Sequence, residues 1–339
     1  MIALSRSFKT PVEPGIDIRL PWIGFVMRIA VAAVLLAVLC GRAAQAAHLA
    51  FVVDSRDPAV SVIDMDSQHE LRRIPMLREP NHLVLSPDGK SLIVADDGGN
   101  ALFFLDPATG EAQKRVAVAD PYQLQFSPNG RFLTVAGFAR NQIDIYDGTS
   151  MALLHRVHAP KMPSHIAYTP DSGTVFVSLQ GTDSLVALST ATGQQLWKVK
   201  VGLTPAGVLW DRGKLLIGIM GSDYVAVVDP RDGHEIRRIT TAAGAHNMFF
   251  SPDRTRIWVC NRVAGSVSVI DSKTFALIRT YRLPGGPDDL DFAPDGKIWI
   301  ARRFAKSVAV LDPATGDFVI IPVGLSPHGL WLNTHPHNG

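Results

Sequence analysis

The sequence predicts an all-β fold, a seven-bladed β-propeller of four-stranded antiparallel blades, and three observations lead to this prediction. A short motif of alternating apolar residues, followed by Asp and a turn, recurs seven times at nearly constant spacing. Between its copies lies a second recurring unit, built around Ser-Pro-Asp-Gly or a close relative. The last apolar segment of the chain supplies a strand that the first repeat lacks, so the ring can close.

The first motif appears in forms such as LFFLDPATG (102–110) and VAVLDPATG (308–316). Its successive marker residues are separated by 42, 41, 42, 40, 42 and 41 positions. We expect most of these carboxylates to bond the backbone of their own turns. The markers are Asp64, Asp106, Asp147, Ser189, Asp229, Asp271 and Asp312.

The second unit is exemplified by PNHLVLSPDGKSLIVAD (80–96). In its turn, Pro fixes φ and Gly supplies a positive φ. The flanking segments alternate in polarity with a period of two, which is typical of β-strands. Each period of about 41 residues therefore holds four short strands, which is the content of one propeller blade.

The two ends of the repeat region are complementary. Residues 327–333 (PHGLWLN) form an innermost strand with no partners after it, and residues 48–64 form a blade without an innermost strand. We expect these segments to pair into one composite blade. Such closure leaves no large open sheet edge.

The first 46 residues differ from the rest. Arg28 precedes an apolar run over 29–39 and a small-residue segment ending Ala44-Gln45-Ala46, the order of a secretory signal peptide. The alternative is a membrane anchor, but the apolar run is about half of the ~20 residues that a bilayer span requires. We therefore expect cleavage after Ala46, a periplasmic or secreted product and no stable membrane span.

The predicted organisation is a leader over residues 1–46, one propeller over 47–334 and a flexible tail over 335–339. Translation is expected to start at Met27. Of the two cysteines, only Cys260 lies outside the leader, so no intramolecular disulfide is expected in the mature chain.

The net charge of the mature chain is close to zero. The full chain has 33 basic and 31 acidic residues; the leader holds five basic and two acidic ones, which leaves 28 against 29. This balance does not favour nucleic acid as a partner. We expect a monomer that meets a protein partner or a small molecule at one face of the propeller.

Several strand endings resemble a known repeat. The tetrads FVVD (51–54), IVAD (93–96) and WVCN (258–261) are similar to the YVTN-type β-propeller repeat. Relatives in the wider superfamily include lactonase-type propellers, the d1-haem domain of bacterial nitrite reductases and propellers that accompany quinoprotein alcohol oxidation. The resemblance implies an exported bacterial protein. We predict no cofactor. The alternatives left open are a non-covalent haem, a quinone or a divalent metal.

Candidate site residues follow from topology. The first two strands of a blade are antiparallel, so the start of strand one and the end of strand two lie at the same face, where strand one lines the channel. Histidines from different blades suit a shared ion or planar cofactor. The alternative is that these side chains satisfy backbone groups of a wet channel. The candidate ligand-binding residues are His82, Gln123, His165, His246, Asn247, Asp288, Asp289 and His328 at strand-one starts, with Asn261 and Arg302 at strand-two ends.

The sequence lacks the common catalytic motifs. It has no nucleophile elbow, Walker loop, zinc spacing or HExxH, and no Cys-x-x-Cys-His for covalent haem. We assign no catalytic or metal-binding residues. The sequence favours a non-enzymatic binding or accessory propeller that presents its loop face and channel mouth to a ligand or protein partner. The alternative is a cofactor-binding or hydrolytic propeller, either lactonase-like or redox-active with non-covalent haem or quinone.

Overall fold

The computed structural model describes Pro11 and residues 48–334, and residues 48–334 form seven four-stranded antiparallel sheets. The predicted seven-bladed propeller is confirmed. The predicted leader, Pro11 apart, and the predicted tail lie outside the described residues. In the described part of the chain, no helix has the length and apolar character needed to span a bilayer.

The strands follow one another in chain order, four to a blade. Blade 1 contains β1 (Leu49–Asp54), β2 (Ala59–Asp64) and β3 (His69–Pro75). Blade 2 contains β4 (Pro80–Leu85), β5 (Leu92–Asp96), β6 (Ala101–Leu105) and β7 (Ala112–Ala117). Blade 3 contains β8 (Pro121–Phe126), β9 (Phe132–Gly137), β10 (Gln142–Asp147) and β11 (Leu153–His158). Blade 4 contains β12 (Pro163–Tyr168), β13 (Thr174–Leu179), β14 (Ser184–Ser189) and β15 (Gln195–Lys200), with a 3-10 helix at Gln180–Thr182.

The remaining blades repeat this plan. Blade 5 contains β16 (Pro205–Asp211), β17 (Lys214–Ile219), β18 (Tyr224–Val228) and β19 (Glu235–Thr240). Blade 6 contains β20 (Ala245–Phe250), β21 (Arg256–Asn261), β22 (Ser266–Asp271) and β23 (Leu277–Arg282). Blade 7 contains β24 (Pro287–Phe292), β25 (Ile298–Arg302), β26 (Ser307–Leu311) and β27 (Phe318–Pro322). The last strand, β28 (Pro327–Leu332), is the innermost strand of blade 1.

The ring closes as the sequence predicts. β28 pairs antiparallel with β1, with Phe51 opposite Trp331 and Val52 opposite Leu330. The innermost strands contact one another in cyclic order around the channel, from β4 through β8, β12, β16, β20, β24 and β28 back to β4. Every innermost strand therefore has a neighbour on each side.

The apolar core lies between adjacent blades rather than within one sheet. Between blades 7 and 1, for example, Trp299 packs with Val52, Ile63, Val310 and Leu330. Trp299 is among the largest fully buried side chains. This interleaving arises because both faces of the inner strands are apolar, as expected when a sheet is covered on both sides.

The marker carboxylates form turns. Asp106 Oδ1 accepts hydrogen bonds from the backbone N–H of Ala108 and Thr109, both at 2.8 Å. Asp147 and Asp271 make the same kind of bond to the residues that follow them. The expectation from the sequence is confirmed: these carboxylates bond the backbone of their own turns.

The two ends of the channel are formed by different loops. One face carries the loops between the second and third strands of each blade and the connections from each fourth strand to the next blade; we call it the loop face. The opposite face carries the remaining hairpin turns. Each first strand begins at the loop face and runs away from it, so its first residues lie at that mouth.

Candidate functional site

The first strands share an irregularity that aims their side chains at the channel. In every blade the pairing of the first strand with the second shifts register near its start, for instance between Pro80 and His82 and between Pro121 and Gln123. β-Bulges of this kind bend a strand and redirect its side chains. The two residues after the strand's opening residue are therefore well placed to face the axis.

Four histidines from these positions meet near the axis, and we call them the histidine cluster: His82, His165, His246 and His328. All four are buried. Their ring centroids lie 4.3 Å apart for His82 and His328, 5.4 Å for His82 and His165, and 5.0 Å for His165 and His246. The structure therefore brings together side chains from four different blades.

Asp288 is the charged centre beside this cluster. Its carboxylate is fully buried and accepts a hydrogen bond from Arg262 Nε at 2.5 Å. Arg303 Nη1 lies 3.3 Å from its other oxygen, and His246 Nδ1 lies 3.2 Å from Oδ1. Two guanidinium groups thus meet a single buried carboxylate, which leaves the centre with one surplus positive charge.

Hydrogen bonds define the tautomers of two histidines. Arg262 Nη2 donates to His246 Nε2 at 2.6 Å, so the proton of neutral His246 lies on Nδ1, facing Asp288. His328 Nδ1 lies 3.0 Å from Asn81 Oδ1, an acceptor, and therefore carries the proton. Nε2 of neutral His328 then keeps a lone pair, 3.3 Å from Asp288 Oδ2.

Burial keeps the whole histidine cluster neutral. It lowers the pKa of His82, His246 and His328 well below the ordinary value, and it lowers the pKa of His165 to about 3. The nearby arginines, Arg262 above all for His165 and His246, lower these values further. At neutral pH the cluster therefore presents uncharged nitrogens that can donate or accept one hydrogen bond each.

Three of those nitrogens lack a partner. Nε2 of His82, His165 and His328 is buried without a hydrogen bond to any residue that the structure describes. A buried polar atom without a partner is costly. Three of them around one axis point to a ligand or ordered water that satisfies them.

An aromatic pair forms one wall of the mouth. Tyr122 and Phe138 stack with ring centroids 4.7 Å apart, and Tyr122 also contacts His82 edge-on at 5.2 Å. Burial raises the pKa of Tyr122 to about 12, so its hydroxyl remains protonated. The mouth therefore offers an aromatic surface opposite the arginines.

The second strands contribute to the mouth one position later than the sequence predicts. The predicted residues end the second strands, whereas the side chains that reach the mouth come from the next position in several blades: Phe138, Arg262 and Arg303. Ser55, at the same position in blade 1, donates to Asn81 Oδ1 at 3.0 Å. The signal was available, because side chains alternate along a strand and successive residues point in different directions.

The two candidates at strand-two ends are held by other groups. Asn261 donates to Ser266 and Ser268 within its own blade. Arg302 donates to the Pro284 carbonyl oxygen and to Ser307. Both side chains therefore bond neighbouring hydroxyl or carbonyl groups rather than joining the histidine cluster.

Three further candidates lie deeper in the channel. Gln123 and Asn247 line a cavity of about 350 Å³ together with aromatic residues such as Trp210. Asp289 is buried next to them and lies 3.4 Å from Asn247 Nδ2; burial raises its pKa well above the ordinary value. The predicted residues at strand-one starts thus divide between the mouth, with the histidine cluster and Asp288, and this inner cavity.

The spacing of the imidazoles limits what can lie between them. Among the described residues, no group of three or more His, Cys, Asp or Glu side chains is arranged to hold a metal ion. The imidazoles pack against one another at 4.3–6.5 Å between centroids, which leaves no slot for a large planar group between them. Arg262 contacts His246 and Tyr122 contacts His82 at the edge of the histidine cluster.

Comparison with solved structures agrees on the fold. Dihydro-heme d1 dehydrogenase NirN, solved in complex with DHE, superposes with a TM-score of 0.64 at 16% identity, covering 87% of this chain and 77% of NirN. A Bacteroides fragilis protein assigned as a 6-phosphogluconolactonase gives a TM-score of 0.66 at 18% identity, covering 86% of this chain and 99% of the other. At these identities the likeness concerns the fold alone.

Sequence comparison identifies the family. The uncharacterized protein YncE of Salmonella typhimurium (strain LT2) is 40% identical over 73 residues, which is 22% of this chain and 20% of YncE. The aligned part thus spans about a fifth of that relative. Residues 22–338 match the family described as YNCE-like beta-propeller, which includes the whole ring of blades. The chain belongs to the YNCE-like beta-propeller family.

Proposed function

We propose that this protein is an exported, non-enzymatic binding propeller whose loop-face mouth binds a small anionic molecule. The observation that carries the proposal is the set of three unpartnered imidazole nitrogens beneath Arg262 and Arg303. Nε2 of neutral His82 and His165 can donate a hydrogen bond to the anion, Nε2 of His328 can accept one from a protonated oxygen of the ligand, and the arginines supply charge. No nucleophile or acid–base pair at the mouth is needed for this role.

The charge balance supports an anion. Asp288 neutralises only one of its two arginine partners, and the histidines are held neutral by burial. A carboxylate or phosphate group at the mouth would offset the remaining charge and meet guanidinium donors suited to planar recognition. A cation would meet the surplus positive charge instead.

The binding test uses the mature chain with two anions, inorganic phosphate and succinate, followed by thermal unfolding. A ligand that binds only the folded state raises Tm with concentration. We expect saturable stabilisation by at least one of the two anions and its loss in Arg303→Gln. Lys273→Gln, on a turn of the opposite face, is the matched control that keeps the effect. Equal responses of the two variants, or none in the wild type, would refute the anion site.

Export is a separate part of the proposal, supported by the signal-like order of residues 27–46. Intact-mass measurement of the protein from the periplasmic fraction should give a chain beginning at Ala47. A cytoplasmic chain that retains the leader would contradict it.

A cofactor-binding propeller is the second candidate. The unpartnered nitrogens of His82, His165 and His328 favour it, because imidazole is a common ligand to cofactor iron. The fold likeness to NirN makes a haem-type group worth testing. A purified protein that absorbs visible light, with the absorbance lost in His82→Gln, would favour this candidate; a colourless protein that binds the anions would favour the first.

A further inference from the structure

Exposed apolar side chains gather on the loop face. Among the residues that the structure describes, the large apolar side chains exposed in loops all belong to this face and none to the turns of the opposite face. The other exposed large apolar residues lie on the outermost strands of the blades. We call the loop set the apolar crown: Leu77 (49% exposed), Leu203 (60%), Val263 (69%), Phe304 (67%) and Leu325 (38%).

The crown is densest where the loops are basic. The loop-face segments 262–265, 282–286, 302–306 and 323–326 contain five arginine and lysine residues and no acidic residue. Two of the five, Arg262 and Arg303, face the buried Asp288 carboxylate, which leaves Arg282, Arg302 and Lys306 as the cations of the crown. Arg282 and Lys306 are exposed to solvent there. Val263, Phe304 and Leu325 belong to these same segments, so apolar and cationic groups alternate around this half of the rim.

The local backbone holds one residue of the crown, Phe304, in a defined position. Phe304 N–H and Arg303 N–H donate to the carbonyl oxygens of Gly285 and Gly286, both at 2.9 Å. Gly286 has φ = +71°, and a Cβ there would collide with the Phe304 ring. The Phe304 ring therefore packs against the backbone of Gly286, where a residue with a Cβ would not fit. Most of the surface of Phe304 remains in solvent. Such preorganisation lowers the entropy cost of binding.

We propose that the apolar crown and its cations form the docking site for an acidic, apolar segment of a partner protein. Clustered exposed apolar residues mark interaction surfaces, and aromatic residues and arginine are enriched at interface centres. Three cations, Arg282, Arg302 and Lys306, with no acidic residue in the four segments, complement a negatively charged partner. The inference goes beyond the anion site, because its residues are exposed and lie outside the Asp288 contacts.

The test selects peptides from a random library displayed on phage against the immobilised mature chain. We expect enriched sequences that combine Asp or Glu with Phe, Leu or Ile. Synthetic versions should bind the Val263→Ser/Phe304→Ser variant about tenfold more weakly or worse, about 1.4 kcal/mol. Arg282→Glu/Lys306→Glu should weaken binding and reduce its sensitivity to salt.

Controls separate this proposal from its alternatives. Ile278→Ser changes an exposed apolar residue on an outer strand and should leave peptide affinity unchanged. Both crown variants should keep the Tm shift with phosphate or succinate, whereas Arg303→Gln loses it, so the two proposals can fail independently. No acidic–apolar enrichment, or equal binding to the crown variants, would overturn the docking site. A third outcome would overturn it in favour of a membrane surface: no peptide is selected, the wild-type protein sediments with phosphatidylglycerol vesicles, and the crown variants do not.

Discussion

Asp288 unites more charged and polar groups than any of the other predicted site residues. It is buried, and Arg262, Arg303 and His246 all direct nitrogen atoms at its carboxylate. Removing one partner of a buried ion pair leaves the others uncompensated, which is more costly than the pair itself is worth. The centre is therefore a structural requirement for the mouth as well as a source of its charge.

Replacing Asp288 with Asn should destabilise the protein by about 3–5 kcal/mol, because two guanidinium groups lose their buried counter-ion. Urea unfolding, followed by tryptophan fluorescence, gives the change in free energy. The control is Asp295→Asn. Asp295 Oδ2 lies 3.2 Å from Lys297 Nζ on an exposed turn, and this substitution should lower the free energy of unfolding by less than about 1 kcal/mol. Similar costs for the two variants would show that the Asp288 centre contributes little.

The histidines make stability depend on pH. For His165 the folded pKa of about 3 lies below the ordinary value of 6.5, so between these values the unfolded chain binds a proton that the folded chain does not. Stability from this group is therefore complete above pH 6.5 and is lost as the pH falls toward 3.

His165→Gln removes that titration and should flatten the decline. Between pH 6.5 and 4.5, the free energy of unfolding of the wild type should fall by about 2–3 kcal/mol more than that of the variant. Unfolding free energies of both proteins across this range measure the difference. Buried Asp54 and Asp289, whose raised pKa values act in the opposite direction, are present in both proteins and cancel. Parallel pH profiles would contradict a neutral buried His165.

At the scale of single elements, the acids that end the second strands hold the connections between blades. Asp96 accepts hydrogen bonds from the backbone N–H of Leu77, Arg78, Glu79 and Gly99 at 2.7–3.0 Å. These donors belong to the connection from blade 1 and to the loop after β5. One side chain thereby satisfies four backbone groups that the strands leave unpaired.

Asp96→Ala should lower the free energy of unfolding by about 3 kcal/mol or more, because four backbone N–H donors lose a charged acceptor at once. Asp106→Ala, which removes two such bonds from an exposed turn, should cost about 1 kcal/mol. Denaturant unfolding compares the variants, and hydrogen exchange at Leu77 and Arg78 should accelerate only in Asp96→Ala. A reversed order of costs would argue that the connections are held by packing alone.

The elements themselves could be predicted from the sequence, whereas their side-chain partners could not. The spacing of Asp64, Asp106 and the later markers identified every blade, because a propeller repeats its turn chemistry locally. Arg262 was missed because its role depends on Asp288, 26 positions away and in the next blade. Asn261 and Arg302 occupy the predicted positions, but local hydroxyl and carbonyl groups engage them first. Local pattern determines the strands, and contacts between blades determine the site.

For the whole molecule, closure by β28 joins the ends of the chain. The strand contributes Leu330 and Leu332 to the core between blades 7 and 1 and covers the edge of β1. Without it, that core would be exposed and β1 would offer an unpaired edge for aggregation.

A chain ending at Ser326 should therefore be far less stable than the full chain, with an earlier urea midpoint and oligomers in size-exclusion chromatography. A chain ending at Thr334, which keeps β28, is the control and should match the full protein. A stable monomer ending at Ser326 would show that closure contributes little to the fold.

The most direct test of the central claim observes the three unpartnered imidazoles themselves. In protein labelled with ¹⁵N-histidine, titration with inorganic phosphate or succinate should shift the Nε2 resonances of His82, His165 and His328 in a saturable manner, while exposed His158 on an outer strand stays unchanged. Spectra in which neither anion moves these three resonances at any concentration would contradict an anion site at the channel mouth.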